Sequence, residues 1–281
     1  MAIRRLPATG DAPRSTGIPA SVTPGGVADS AGFPWAGRDF VHHGTAFAGD
    51  DGTTPPEFAA AVERVRVASD DAGLAEAHAG AILVLATTRL LVPLVAEAGD
   101  LGTTPEGRAV EKTQELSIVT VAAPDGRRVM PVFSSVETMR AWNPEARPIP
   151  VPGPQVALAA AQEGTDLIIV DPATPALEFG VRRTALEAMA TGKRVVPSWA
   201  DPQVLRAFSE AAAASAEVRA VELRPGDPSA RLLAPETDVV LTLVPDLTRE
   251  AVAAVLALLQ QRWAVDETIA ERVDSLRIVL R

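Results

Sequence analysis

The sequence predicts an α+β fold of two domains, each a mixed or mainly antiparallel sheet with packed helices, preceded by a flexible N-terminal arm. The chain has 281 residues, 47% of them hydrophobic, which is enough apolar material for one large core or two smaller ones. The first 52 residues carry no regular hydrophobic period, and the last 80 or so read as helix, strand, strand, helix, strand. We therefore expect an arm over 1–52, an N-terminal domain over 53–195 and a small C-terminal domain over 196–281.

The arm is rich in Gly, Pro, Ser and Thr, a composition typical of segments without a core of their own. Its aromatic residues could dock on a partner or fold back on the body, and they are Phe33, Trp35, Phe40 and Phe47. Arg4 and Arg5 are not followed by the apolar run of a secretory signal, so we expect a cytoplasmic protein.

The first ordered element is predicted at "TTPPEFAAAVERVRVA", where Thr54 caps a helix and Glu57, three residues later, returns a hydrogen bond. One face of this helix carries the apolar residues Phe58, Val62 and Val65.

An apolar run follows over 79–99, but a charged Arg89 near its middle makes a membrane span unfavourable. We interpret it as two strands, Ala81–Ala86 and Leu90–Ala96, joined by a short turn. A later "GTTPEG", Gly102–Gly107, is predicted to be a loop because its flanking residues share no period with the earlier "GTTP" segment.

The stretch "VAAPDGRRVMPVFSSVETMRAW" predicts a hairpin that leads into a helix. Asp125 and Gly126 follow a proline at the turn, where proline sets the first dihedral and glycine accepts a positive one. The segment "SSVE", Ser134–Glu137, fits a capping box. The helix behind it should pack inward through Val136, Met139 and Trp142.

A serine nucleophile at Ser134 or Ser135 would need a base and usually a G-x-S-x-G turn. "VFSSV" lacks those glycines, and the histidines lie at positions 42, 43 and 78. The motif therefore indicates a helix start rather than a hydrolase site.

The next segment predicts a strand to Val151, a helix from Pro154 that ends before Gly164, a strand over Leu167–Val170 and a helix from about Arg183 to Gly192. Neither G-x-G-x-x-G nor G-K-[ST] is present, so no nucleotide cofactor is predicted.

The C-terminal segment predicts a helix capped by Asp201, a strand near Val218–Leu223 and a strand over Asp238–Val244. A helix with Val252, Val255, Leu256 and Leu259 on one face follows, and "SLRIVLR" closes the unit as a strand.

Charge and composition disfavour several classes of partner. The formal net charge is −10 and no segment is basic, so neither nucleic acid nor an anionic membrane is expected. Cysteine is absent, and the adjacent histidines of "FVHHG" would point apart on a strand, so no metal site is predicted.

Three stretches carry a family resemblance: "AILVLATTRLLVPLVAE", "TVAAPDGRRVMPVFSSVETMRAWNPEARPIPVPG" and "GTDLIIVDPATPALEFGV". They resemble the N-terminal domain of the SseB family, named for enhanced serine sensitivity. The matching residues are Asp125, Gly126, Pro131, Val132, Phe133, Ser134, Ser135, Glu137 and Trp142. Asp171-Pro172-Ala173 stands where the family often has Asn-Pro-Gly, and the C-terminal segment is similar in size and order to the family's C-terminal domain.

The resemblance implies a cytoplasmic bacterial protein of α+β fold and no settled activity. Our first hypothesis is a non-catalytic protein-binding or adaptor module, with Arg127, Arg128, Trp142 and Asn143 as its possible contact patch. A second is a small-ligand sensor or regulator linked to amino-acid metabolism, with the cleft between the domains as its pocket. The sequence does not fix the oligomeric state.

A third hypothesis, an enzyme, is the least favoured. It would use carboxylates such as Glu178 or Asp171 beside Arg182 and Arg183, residues for which surface ion pairs are the commoner role.

Overall fold

The computed structural model describes most of the chain beyond the predicted arm. The described residues are 47, 49–96, 101–103, 109–111, 116–123, 125–165 and 167–281. Of the predicted arm, residues 1–46 and 48 lie outside them, and these include Phe33, Trp35, Phe40, His42 and His43. Residues 49–281 form one compact unit, and the predicted boundary at 195/196 stays a prediction.

The helices of the described part are α1 (Pro56–Val67), α2 (Asp71–Leu85), α3 (Val136–Trp142), α4 (Gly153–Gln162), α5 (Arg183–Thr191), a short 3-10 helix (Ser198–Ala200), α6 (Pro202–Ala212), α7 (Arg249–Trp263) and α8 (Glu267–Arg272). Its strands are β1 (Arg89–Ala96), β2 (Leu101–Thr103), β3 (Ala109–Glu111), β4 (Leu116–Ile118), β5 (Val121–Ala122), β6 (Arg128–Val132), β7 (Arg147–Pro152), β8 (Ile168–Val170), β9 (Phe179–Val181), β10 (Val218–Pro225), β11 (Thr237–Leu243) and β12 (Leu276–Leu280). The predicted α+β class is confirmed.

The strands pair in the orders β4–β1–β7, β5–β6–β8–β9 and β10–β11–β12, and β2 pairs with β3. The pairs β6–β8 and β11–β12 are parallel and the others antiparallel. A single bridge between Leu91 and Phe133 joins the first sheet to the second.

Two large hydrophobic cores hold the unit together. In the first, α1, α2, α4 and α5 pack with β6, β8 and β9 around Phe58, Met130 and Phe179. In the second, α6, α7 and α8 cover one face of the β10–β11–β12 sheet around Phe208, Leu241 and Trp263. Residues 204–273 contribute the second core, which therefore belongs to the predicted C-terminal segment.

The predicted strand Ala81–Ala86 is wrong, because residues 71–85 form the helix α2. The Asp70 carboxylate accepts a hydrogen bond from the Gly73 amide at 2.7 Å and starts this helix. Leu74, Ile82 and Leu85 then recur on one buried face, and an apolar run without strict alternation fits a buried helix as well as a strand. The predicted second strand is confirmed as β1.

Two predicted caps are also wrong. The residue before α1 is Pro55, which makes no side-chain cap, although the helix and its buried face are confirmed. Ser135 rather than Ser134 caps α3, by accepting from the Thr138 amide at 3.1 Å. The Ser135 backbone has the extended conformation of a cap residue, which brings its hydroxyl within reach of that amide.

The hairpin prediction is confirmed, since β5 and β6 pair and Gly126 has a φ of 82°. The predicted loop at Gly102–Gly107 is wrong at its start, because residues 102 and 103 lie in β2. The predicted helices and strands from Asp201 onward are confirmed. Besides α2, the described elements that the sequence did not predict are β2, β3, β9, the 3-10 helix and α8. No helix among the described residues is long and apolar enough to cross a membrane.

Candidate functional site

The two arginines of the predicted patch have different surroundings. Arg127 binds Asp125 at 2.7 Å and Asp274 at 2.9 Å, so its guanidinium ties the hairpin to the C-terminal segment. Arg128, the first residue of β6, is exposed, as expected when neighbouring strand residues face opposite sides.

The other two patch residues support local structure. The Trp142 ring packs 5.3 Å from the Phe133 ring, in a small cluster under α3. The Asn143 side chain accepts from the Glu145 amide at 2.9 Å and shapes the turn after α3. Whether the four residues together form a binding surface stays a prediction.

Ser134, the strongest candidate nucleophile, is completely buried. Its hydroxyl lies 2.8 Å from the Thr54 hydroxyl, and its amide donates to Asp171 at 2.8 Å. The Thr138 hydroxyl donates to the same Asp171 oxygen at 2.6 Å. Burial raises the pKa of Asp171 above its ordinary value, and these hydrogen bonds only partly oppose that rise.

Arg89 connects this cluster to the segment before α1. Its guanidinium binds the Asp50 carboxylate at 2.6 and 2.7 Å and donates to the Ser134 carbonyl at 2.6 Å. These hydrogen bonds hold residues 50–54 against the start of β1 and the residues just after β6. The polar groups of Asp50, Arg89 and Ser134 thus have a structural role.

His78 cannot serve Ser134 as a base in this arrangement. Its ring packs 5.4 Å from Phe179 in the first core, and burial, with the nearby charge of Arg182, lowers its pKa to about 4. Ser134 instead contacts Thr54 and Asp171, so the described residues do not assemble a Ser-His pair.

The carboxylates and arginines of the enzyme hypothesis are not brought together as a group. Glu178 pairs with Arg231 at 2.9 Å, and Arg183 donates to the Ala270 carbonyl at 2.9 Å. Asp171 belongs to the Ser134 cluster described above. No group of three His, Cys, Asp or Glu side chains in the described ranges is placed to hold a metal ion.

A buried ionic junction joins the two cores. Arg182 binds Asp227 at 2.7 Å and Asp274 at 3.1 Å, and both carboxylates are almost fully buried. Burial alone would raise the pKa of Asp274, but the hydrogen bond and charge of Arg127, together with Arg182, hold it below its ordinary value. Sequence reasoning missed this junction because its members are 45 to 147 positions apart.

Among the clefts of the described residues, two are lined by residues that bear on the enzyme and sensor hypotheses. One of about 140 Å³ is mainly apolar and opens between β5 and the Glu178–Arg231 ion pair. The other, the α5–α8 cleft, has a volume of about 390 Å³. Its lining residues come from both predicted domains and are Thr184, Glu187, Ala188, Lys193, Arg194, Val195, Val196, Asp201, Glu271 and Arg272.

The outer edge of β7 is blocked. The Gly153 amide donates to the carbonyl of Thr88, the residue before β1, so alternate residues Val151 and Ile149 also face β1. The backbone nitrogens that face away from β1 therefore belong to Pro148, Pro150 and Pro152. A proline ring nitrogen carries no hydrogen and cannot donate a hydrogen bond. The edge offers carbonyl acceptors but no donors.

Two further edges are covered or interrupted. On β9, the Gly180 amide donates to the Ala230 carbonyl at 2.6 Å, and the loop that carries Ala230 lies along the strand. On β10, a bulge separates Val218 from Ala220, the strand ends at Pro225, and the 3-10 helix contacts it.

Among the residues that the structure describes, none pairs with the outer edge of β12. Ser275 accepts from Thr237 and Arg281 donates to Leu241, so the odd-numbered residues of this strand face β11. Leu276, Ile278 and Leu280 therefore turn both their N–H and C=O groups outward. None of these N–H groups has a backbone acceptor in the part of the chain that the structure describes.

The chain matches one known family. Residues 65–188 match the SseB protein N-terminal domain, and this range includes the hairpin, the Ser134 cluster and β7. No curated protein and no solved structure matches. The similarity of residues 196–281 to a family C-terminal domain stays a prediction. Over residues 65–188, this chain is therefore similar to the SseB protein N-terminal domain.

Proposed function

We propose that this SseB-like protein is a non-catalytic, cytoplasmic protein-binding or adaptor module that accepts an extended partner segment as an added strand on β12. The open β12 edge is the observation that supports this function. Strand addition needs a row of unpaired backbone donors and acceptors, and Leu276, Ile278 and Leu280 supply both.

The two faces of β12 would give this binding its selectivity. Leu276 and Ile278 pack against the second core, and Leu280, on the same face, is 44% exposed. Arg277 lies on the opposite face in an ion pair with Asp238 at 2.7 Å. A partner strand should therefore carry apolar residues on the helix-covered side and polar residues on the other.

The surroundings of the reactive side chains support a non-catalytic role. Ser134 and Ser135 are engaged in hydrogen bonds that shape the start of α3, and the His78 ring packs against Phe179 of the first core. Catalysis needs a nucleophile, a base and an orienting group within mutual reach.

The test is a selection of random peptides, about ten residues long, on the immobilised full-length protein, followed by amide hydrogen exchange with a selected peptide bound. We expect the amides of Leu276, Ile278 and Leu280 to become protected while those of β7 do not change.

The variant Ile278→Pro removes one outward N–H and should abolish peptide binding. Its matched control, Val221→Pro, removes an outward N–H from β10 and should keep it. Selected peptides that bind without protecting the β12 amides would reject the proposal.

A small-ligand sensor or regulator is the second candidate, favoured by the α5–α8 cleft. Its volume of about 390 Å³ is within the usual range for small-molecule sites, and Lys193 and Glu271 lie among its charged lining residues. Melting curves with amino acids and nucleotides would test this function, since a ligand at a hundred times its Kd adds about 2.7 kcal/mol of stability. Unchanged curves across the panel would remove this candidate.

A further inference from the structure

We propose that the strand added to β12 is β12 of a second copy, so that the chain forms a two-fold dimer with a continuous six-stranded sheet. This inference rests on the proposed strand addition and names its partner. An edge that pairs with itself uses the same surface on both copies and closes the assembly at two.

The positions of the outward groups restrict the register. In an antiparallel pair, the residues that exchange hydrogen bonds must both face the partner. Centring the two-fold axis on Ile278 places Leu276 opposite the second copy's Leu280 and Ile278 opposite itself. Three such pairs with two hydrogen bonds each give about six backbone hydrogen bonds.

Charge selects this register over its neighbours. Shifting the centre to residue 277 would place Arg277 opposite its own copy, and centring on residue 279 would place Arg277 opposite Arg281. Like charges directly opposite each other destabilise a strand pair. The register centred on Ile278 instead places Arg277 opposite Val279 and Arg281 opposite Ser275, so no two arginines meet.

The apolar side chains are self-complementary in the same register. Leu276, Ile278 and Leu280 all lie on the helix-covered face of the sheet, and Leu280 is 44% exposed in the single chain. Across the two-fold axis these residues would form one apolar row of six side chains, three from each copy. Covering them stabilises the dimer because apolar surface leaves water.

Sedimentation velocity of the full-length protein from about 1 µM to about 1 mM tests the dimer. We expect the sedimentation coefficient to rise with concentration to that of two copies. Leu280→Lys places a charge in the apolar row and should weaken association at least about tenfold. The control Val265→Lys changes a residue that is 81% exposed after α7, and association should be unaffected.

Introduced cysteines test the register, because the natural chain has none. Ile278→Cys would face its own copy at the Cα separation of about 5.5 Å that a hydrogen-bonded pair has, which a disulfide can bridge. Val279→Cys would face Arg277 of the second copy and should not cross-link. Efficient cross-linking through residue 279 and not 278 would overturn the register.

A protein that stays monomeric at about 1 mM would overturn the dimer, and amide exchange would then show why. Slow exchange at Leu276, Ile278 and Leu280 in a monomer would mean that the chain's own residues cover β12, which also ends the proposed function. Fast exchange, with selected peptides still binding at β12, would reject the second copy alone and leave strand addition in place.

Discussion

The strands β7 and β12 are both edges of their sheets, yet they treat an approaching strand in opposite ways. On β7 every second residue is proline, and the three rings face outward. On β12 the outward residues are Leu276, Ile278 and Leu280, whose N–H and C=O groups have no backbone partner among the described residues. Since unprotected edges invite association, most sheets block theirs, and an edge left open next to blocked ones indicates a surface used for binding.

The residues around β12 also limit what it can bind. The side chains of Arg277 and Arg281 are each 53% exposed. Charges beside a strand edge disfavour pairing with other strands in registers that bring like charges together. The two edges therefore differ in the residues that face outward. The prolines of β7 leave no N–H group for an added strand, whereas β12 offers N–H groups and should accept a strand that places no arginine opposite Arg277 or Arg281.

The largest effect is expected when the start of β12 loses its anchor. Arg182 binds Asp227 and Asp274 and donates to the Ala234 carbonyl at 2.8 Å. Arg182→Met leaves two buried carboxylates without their shared cation, so we expect a loss of about 3–5 kcal/mol in the free energy of unfolding. Urea denaturation measures it.

The matched control for that variant is Arg128→Met, which removes an arginine from an exposed position on β6. It should change the free energy of unfolding by less than about 0.5 kcal/mol. If both variants unfold at the same urea concentration, the junction does not hold β12 in place.

The next effect concerns the anchor of β7. Gly153 follows this strand directly, and a Cβ there would lie 1.8 Å from the Leu85 carbonyl oxygen. Gly153→Ala must therefore separate α2 from the start of α4, at a cost of about 2–3 kcal/mol. Gly80→Ala, in the middle of α2 with open space around its added methyl group, should instead stabilise by about 0.5–1 kcal/mol. Equal melting temperatures for the two variants would show that α4 can shift freely.

A pH-dependent effect is expected at the base of β12. Asp274 has a lowered pKa in the folded protein, so its charge stabilises the fold above its unfolded pKa near 3.8 and ceases to do so as the pH falls through the folded pKa. Asp274→Asn should cost about 2 kcal/mol at pH 7, because hydrogen bonds to a charged group are lost. The difference from the natural protein should shrink as the pH falls below 3.8 and through the lowered pKa of Asp274 in the folded protein. Urea denaturation at several pH values measures it, and a constant difference over that range would exclude the carboxylate charge as the cause.

Local sequence signals predicted most of the elements that these variants change. Asp201, Gly126 and Gly192 mark a cap, a turn and a helix end through their own chemistry, and the structure has each of them where the sequence placed it. The apolar run at Ala81–Ala86 was misassigned because all six of its residues are apolar, so the period that separates a helix from a strand cannot be seen in it.

The proposed binding surface depends on information that no local window of sequence contains. The outward direction of Pro150 or Ile278 follows from which neighbour each strand pairs with, and that pairing joins residues about 40 to 60 positions apart. The junction of Arg182, Asp227 and Asp274 likewise exists only after both cores have packed. The alternating prolines of "RPIPVP" were the one available signal, since such a strand can lie only at an edge.

The smallest change in stability, and the sharpest test of the comparison, comes from making β7 resemble β12. The double substitution Pro148→Ala and Pro150→Ala restores two outward N–H groups, and because neither ring nitrogen faces β1, no existing hydrogen bond is lost. Stability should fall by less than about 1–2 kcal/mol in total, mainly through the greater entropy of the unfolded chain. Association should nevertheless increase, because β7 would then offer a second edge per copy and allow chains of molecules instead of closed dimers. Sedimentation velocity and light scattering would detect this increase.

The control is Pro144→Ala, which removes an exposed proline outside any strand and should not change association. If the double variant associates no more than this control, proline is not what prevents strand addition at β7. The contrast between β7 and β12 would then no longer support a binding role for the β12 edge.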